Sequence, residues 1–290
     1  MICDICPRRC GAERTETSGT GFCRMPAGIV AARAMLHMWE EPCLSGTRGA
    51  GCVFFTGCNL GCSYCQNGAI SRDGFGKPIP AKRLRAIFDE LIESGAHCID
   101  LVTPTHFTPW ILDALREPLG VPVVWNSGGY ESVETLRTLE GKVQIFLPDL
   151  KYADAALAGE LSHAPDYFDA AAAAIDEMYR QTGPFRLGDD GLLKSGVLIR
   201  HLVLPGQLEN TRRVIDYVAG RFRPGEVMFS LMSQYTPQSG AEGALARRVT
   251  GAEYRAAREY MEACGLSDGF VQEKSSAKEE YTPDFDLSGI

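Results

Sequence analysis

Three cysteines fall within eight residues, Cys58, Cys62 and Cys65, in the run Gly57-Cys58-Asn59-Leu60-Gly61-Cys62-Ser63-Tyr64-Cys65-Gln66-Asn67. An iron–sulfur cluster with four irons takes one thiolate per iron, so a tight loop offering three leaves one iron open to another ligand. The competing reading joins the trio to a fourth cysteine in a structural zinc site or a closed electron-transfer cluster. Zinc sites favour paired Cys-x-x-Cys knuckles, which this asymmetric spacing does not reproduce. A second set, Cys3, Cys6, Cys10 and Cys23, supplies four thiolates at spacings of three, four and thirteen. That is enough to close a site around zinc or an extra iron–sulfur cluster, and both stay open at this point. Cys43, Cys52, Cys98 and Cys264 stand singly and read as small hydrophobes, as Met35, Met38, Met228 and Met232 read as core.

The elements that must position these thiolates are legible as short apolar runs followed by helical patterns. Val53 to Thr56, Cys98 to Thr103, Val121 to Asn126, Val143 to Leu147, Gly196 to Leu204 and Glu226 to Met232 read as buried strands. Leu84, Ile87, Phe88, Leu91 and Ile92, and later Phe168, Ala171, Ala172, Ile175 and Met178, recur at helix spacing, with Gly95 and Gly183 at the ends. Six strand–helix units predict an α/β fold with a parallel sheet and right-handed crossovers, an open partial barrel. Ligands of such sheets lie beyond the carboxyl ends of the strands. The expected division is a cysteine-rich metal-binding segment over 1–48, the partial barrel over 49–266 and a polar tail over 267–290, anchored by Tyr281 and Phe285. The stretch between the fourth and fifth strands exceeds a βαβ minimum and reads as a lid or docking surface.

The 290 residues suffice for one main domain, and 45% hydrophobic with 23% charged residues is an ordinary globular balance. A net charge of −8 gives no basic footprint, which argues against nucleic acid and against an anionic membrane surface. Met1-Ile2-Cys3-Asp4 does not open a signal peptide, and no apolar run approaches the roughly 20 residues of a membrane helix. Eleven cysteines without a secretion signal favour metal over disulfides and predict a cytoplasmic protein.

The Cys-x-x-x-Cys-x-aromatic-Cys loop resembles the signature of radical S-adenosylmethionine (SAM) enzymes. Nearly the whole chain resembles their branch typified by the pyruvate formate-lyase activating enzyme, in particular its PflX-type subgroup. The resemblance is carried by Cys3 to Gly11, Trp39-Glu40-Glu41-Pro42, Phe54 to Asn67, Leu101 to His106, Val124-Trp125-Asn126, Leu147 to Tyr152, Ile199 to Gly206 and Met232 to Tyr235. It implies a partial (β/α)6 radical SAM barrel with a cysteine-rich N-terminal extension. Cys58, Cys62 and Cys65 would hold a 4Fe-4S cluster whose open iron binds SAM, and Tyr64 and Asn67 would flank the cofactor. Asp149 and Lys151 match the activases' Asp-x-Lys, suited to the ribose hydroxyls and the methionine carboxylate. Asn126 and Ser127 stand at a polar turn where Gly128 replaces a common amide. Thr103 and Thr105 occupy the strand end where activases carry Gly-Gly-Glu, a motif this chain lacks. Arg200 and His201 end the fifth strand and Gln234 the sixth, with His201 and Gln234 as candidate site residues.

The activity implied is reductive cleavage of SAM and removal of a hydrogen atom from a substrate. The resemblance points to activation of a glycyl radical enzyme, with a low-potential donor such as flavodoxin or ferredoxin. Two alternatives stand beside it: a radical SAM enzyme acting on another peptide or a small molecule, and a non-catalytic iron–sulfur electron carrier.

Overall fold

The computed structural model describes residues 1–272 and 283–290. Its strands are β1 (Ile29–His37), β2 (Ala50–Phe55), β3 (Lys77–Ile79), β4 (Ile99–Val102), β5 (Val123–Ser127), β6 (Ile145–Pro148), β7 (Arg186–Leu187), β8 (Leu193–Leu202), β9 (Met228–Met232) and β10 (Gly269–Val271). They form one sheet in the order β10-β9-β8-β6-β5-β4-β2-β1-β3, with β7 paired to β8 off that path. From β2 through β9 the main-path neighbours are parallel and follow chain order, and β10 adds a parallel edge. β1 and β3 extend the other edge in antiparallel pairing. This is the (β/α)6 partial barrel expected, and the six parallel strands from β2 to β9 fall on the six apolar runs.

The helices are α1 (Pro42–Ser45), α2 (Gly68–Ser71), α3 (Ala81–Glu93), α4 (Thr108–Ala114), α5 (Val133–Arg137), α6 (Ala155–Ser162), α7 (Tyr167–Thr182), α8 (Leu208–Arg221) and α9 (Gly251–Ala263). Leu84, Ile87, Phe88 and Leu91 bury one face of α3, as the 3.6-residue period requires. Thr250 and Glu253 exchange bonds in a capping box that starts α9. Side chains alternate across each strand. Val53, Phe55, Leu101, Trp125, Phe146, Ile199 and Leu231 join the helices in the larger outer core. Cys52, Phe54, Val124, Ile145, Leu147, Leu198 and Met228 form a smaller inner core.

Both ends of the chain add to the sheet. Within the stretch 1–48, β1 pairs along β2 from Ala31 to His37. The long stretch before β8 is no lid. Ala171, Ala174, Ile175 and Met178 of α7 are buried in the outer core, and α6 ends beneath the cysteine loop. The polar tail also supplies structure, through β10 and through bonds from Leu287 N–H to the Ala32 carbonyl and Ala34 N–H to the Ser288 carbonyl. Phe285 packs edge-on against Phe54, with ring centroids 5.6 Å apart, whereas Tyr281 lies outside the described residues. Met38, read as core, is 45% exposed. Among the described residues no helix is long and apolar enough to cross a membrane.

Candidate active site

The cysteine loop leaves the carboxyl end of β2 through Gly57 at φ +81°, a turn that leaves no room for a side chain. A Cβ there would fall 2.5 Å from Met25 Cγ and 3.0 Å from the Cys23 carbonyl oxygen. Each of the three sulfurs accepts one hydrogen bond. Leu60 N–H donates to Cys58 Sγ (3.3 Å), Ser162 Oγ to Cys62 Sγ (3.0 Å) and Ser71 Oγ to Cys65 Sγ (3.4 Å). Such bonds tune the potential of a thiolate-bound cluster. Ser63 N–H donates to the Leu161 carbonyl, so the end of α6 props the loop. Burial pushes the Cys58 thiol up to about 12 and raises Cys62, the latter opposed by the Lys151 cation. Buried thiols of this kind suit a metal, since coordination removes their protons outright.

The loop forms one wall of a cavity of ≈ 220 Å³ at the carboxyl ends of the strands. The opposite wall is a charged cage on the inner face of the sheet. Arg200 Nε donates to Asp149 Oδ1 (3.0 Å), Nη1 to Glu40 Oε1 (3.0 Å) and Nη2 to Asn126 Oδ1 (2.6 Å). Asn126 Nδ2 in turn donates to Glu40 and Asp100, and Lys151 donates to Asp149. Burial alone would raise Asp149, but Lys151 and Arg200 outweigh it and hold the carboxyl below its usual range. Burial and the neighbouring Glu40 push Asp100 well above the carboxylate range, and burial brings Glu41 up to about 7. The cage thus offers two fixed cations and one firmly ionised aspartate.

Of the residues expected at the site, Cys58, Cys62, Cys65, Tyr64, Asn67, Thr103, Asn126, Ser127, Asp149, Lys151 and Gln234 line this cavity together. Thr103 sits at φ +61°, an outlier that costs a β-branched residue on the order of 1–3 kcal/mol and recurs at functional sites. Asn67 Oδ1 is buried without a partner among the described residues. That orphan acceptor, three thiols and two cations fit a cluster together with an amino-acid-bearing ligand such as SAM. At Gly128 a Cβ would meet Leu60 Cδ1 at 2.7 Å, so Leu60 fills the place of a side chain there.

Two expected residues need correction. His201 points to the outer face, where its ring nitrogens meet the Leu150 carbonyl (2.6 Å) and Thr211 Oγ1 (3.0 Å), because it is one residue out of phase with Arg200. Thr105 lies past the strand end and donates to Glu131 Oε1 (2.6 Å) away from the cavity. Arg200, read from the sequence as ending the fifth strand, takes the place in the site expected of His201, and Glu40 was missed as a site residue. The signal for Arg200 was its parity with Leu198 on a buried strand, while Glu40, in the link after β1, had no local signal.

A family profile described as a 4Fe-4S single cluster domain matches residues 45–163. An uncharacterized protein of Methanocaldococcus jannaschii, MJ0674, is 30% identical over 276 residues, spanning 91% of this chain and 75% of that protein. Among solved structures, Streptococcus suis SuiB bound to S-adenosylmethionine aligns with TM-score 0.52 at 14% identity, over 78% of this chain. This chain spans about half of SuiB, 51% of its length. HydG, a maturase of the [FeFe]-hydrogenase, aligns with TM-score 0.54 at 13% identity, over 83% of this chain and 56% of HydG. Methylornithine synthase (PylB) aligns with TM-score 0.50 at 15% identity, over 74% of this chain and 68% of PylB. At those identities the likeness is one of fold. The cluster profile covers the cysteine loop on that fold, and the loop faces a cavity suited to SAM; the chain therefore belongs to one family with MJ0674 and carries a 4Fe-4S single cluster domain.

Proposed function

We propose that this chain is a radical SAM enzyme that activates a glycyl radical enzyme by removing the α-hydrogen of a glycine in that partner. The observation that carries the reading is the Asp149–Lys151 pair after β6, which reproduces the activases' Asp-x-Lys and stands in the cavity wall beside Arg200. Cys58, Cys62 and Cys65 would hold the cluster, which with bound SAM would supply one-electron reductive cleavage of a carbon–sulfur bond.

The chain's own residues bind and orient. Lys151 and Arg200 hold a carboxylate, Asp149 accepts ribose hydroxyls, and Tyr64 covers a flat face beside Tyr235, whose ring lies 6.2 Å away. Glu40 supplies the acid that the end of β4 lacks, with Thr103 beside it. Trp39, 62% exposed at the rim, gives an entering polypeptide segment an aromatic surface. A flavodoxin or ferredoxin serves as electron donor, and the cytoplasm as the place of action.

The test is anaerobic incubation with candidate glycyl radical enzymes of the same cell, read by electron paramagnetic resonance. A glycyl radical in one of them is the expected result; 5′-deoxyadenosine without any such radical overturns the activase reading. The missing Gly-Gly-Glu favours, as second reading, hydrogen abstraction from another peptide or a small molecule. If an intact cluster yields no 5′-deoxyadenosine with SAM and dithionite, the non-catalytic electron carrier remains.

A further inference from the structure

We propose that Ser162, with Tyr152 behind it, is the positioning residue that sets the potential of a cluster held by Cys58, Cys62 and Cys65. The proposal rests on the cluster domain and on nothing about the substrate. Of the three sulfurs, Cys62 receives the shortest bond. Ser162 Oγ donates to it at 3.0 Å, against 3.3 Å from Leu60 N–H to Cys58 and 3.4 Å from Ser71 Oγ to Cys65. Ser162 is fully buried, whereas Ser71 is half-buried. A hydrogen bond is stronger where water is excluded.

The end of α6 holds this hydroxyl in place. A serine on a helix can turn back onto the carbonyl four residues earlier. Ser162 instead turns to Cys62 and to the Tyr152 hydroxyl, 2.6 Å away. The backbone on either side is pinned: the Leu161 carbonyl accepts from Ser63 N–H (2.9 Å) and the Ser162 carbonyl from Arg8 Nη2 (2.8 Å). Arg8 Nε also donates to the Asn59 carbonyl (2.8 Å), so one guanidinium ties the helix end to the cysteine loop. Sulfur and hydroxyl are fixed against each other from both sides.

Proton counting gives the pair its direction. Each hydroxyl carries one proton, and a thiolate bound to iron carries none. Ser162 therefore gives its proton to Cys62, and its oxygen accepts from Tyr152. Hydrogen bonds in such a chain polarise one another, so Tyr152 makes Ser162 the stronger donor. Tyr152 is itself fully buried, with its ring edge-on to Tyr167 at 5.2 Å, and its oxygen lies 2.8 Å from the hydroxyl of Tyr64 in the cavity wall. A bond to a ligand sulfur favours the reduced cluster, whose charge is the more negative, and so raises the potential.

The test is a redox titration of the anaerobically loaded full chain without SAM, read by electron paramagnetic resonance, beside Ser162→Ala, Ser162→Thr and Tyr152→Phe. Iron and sulfide are counted in each. At a fixed ambient potential Ser162→Ala should lower the ratio of reduced to oxidised cluster about tenfold, the effect of one lost bond to a charged sulfur. Tyr152→Phe should lower it by a smaller factor, and Ser162→Thr, which keeps the hydroxyl, should restore the parent's ratio. A merely structural role would change loading or stability and leave the ratio alone. An unchanged ratio in Ser162→Ala overturns the proposal, as does a Thr variant shifted as far as the Ala variant. Should Ser162→Ala fail to hold iron, Tyr152→Phe decides, a lowered ratio supporting the proposal and an unchanged one overturning it. A parent without iron overturns the cluster and the proposal together; a loaded parent whose variants do not shift overturns the role of Ser162 alone.

Discussion

Arg200 and His201 are neighbours on β8 and lead opposite lives. Arg200 faces the inside of the sheet, tied to Asp149, Glu40 and Asn126 at the cavity wall. His201, fully buried on the outer face, only satisfies Leu150 and Thr211. Ile199, on the other side of Arg200, belongs to the outer core as well. The strand's alternation separates two tasks: the inner face near the carboxyl ends carries charge for ligands, and the outer face carries stability. Position at a strand end is therefore insufficient to assign a site residue; parity decides.

The sharpest way to break this division starts inside. Replacing Cys62 with Ala should abolish formation of 5′-deoxyadenosine from SAM, and retained activity would remove the loop from the chemistry. Arg200→Met leaves Asp149 and Glu40 short of their shared cation, so denaturant unfolding should show a loss of about 4 kcal/mol. SAM affinity should fall by about 30-fold in the same variant, through a lost charge-assisted bond. An unchanged affinity would mean that the inner cage is structural only.

The outer face predicts pH behaviour. Burial holds His201 neutral down to about 4, whereas an unfolded histidine protonates near 6.5. Between those values the unfolded state binds the extra proton, so stability falls as pH drops through the window, by about 3 kcal/mol from this group. His201→Gln should flatten that part of the stability curve while leaving SAM binding alone, and a matching drop in SAM affinity would put His201 back at the site. Smallest of all, Ile199→Val should cost about 1 kcal/mol of stability with no change in SAM affinity by titration.

The parallel strands were readable because each is buried on both faces and so appears as a continuous apolar run, as in Val53-Phe54-Phe55. β1 was not, since Ala31, Ala32, Arg33 and Ala34 give no apolar contrast, and β10 is only three residues long. The cysteine loop was legible from its spacing, and the cluster-domain match covers it. The cage was less so: Asp149 and Lys151 follow directly on β6, but Glu40 reaches Arg200 across 160 residues, a contact made by the fold and by no local pattern.

Arg8 bonds the Asn59 carbonyl across 51 residues and the Ser162 carbonyl across 154, while Ser162 reaches Cys62 across 100. A nascent chain therefore displays Cys58, Cys62 and Cys65 long before α6 exists to brace them. Contacts of such separation form late, after their loop-closure entropy has been met. Iron–sulfur loading and folding are thus coupled in time: metal delivered early meets loose thiolates open to oxidation and mispairing, and metal delivered after α6 docks meets a finished socket.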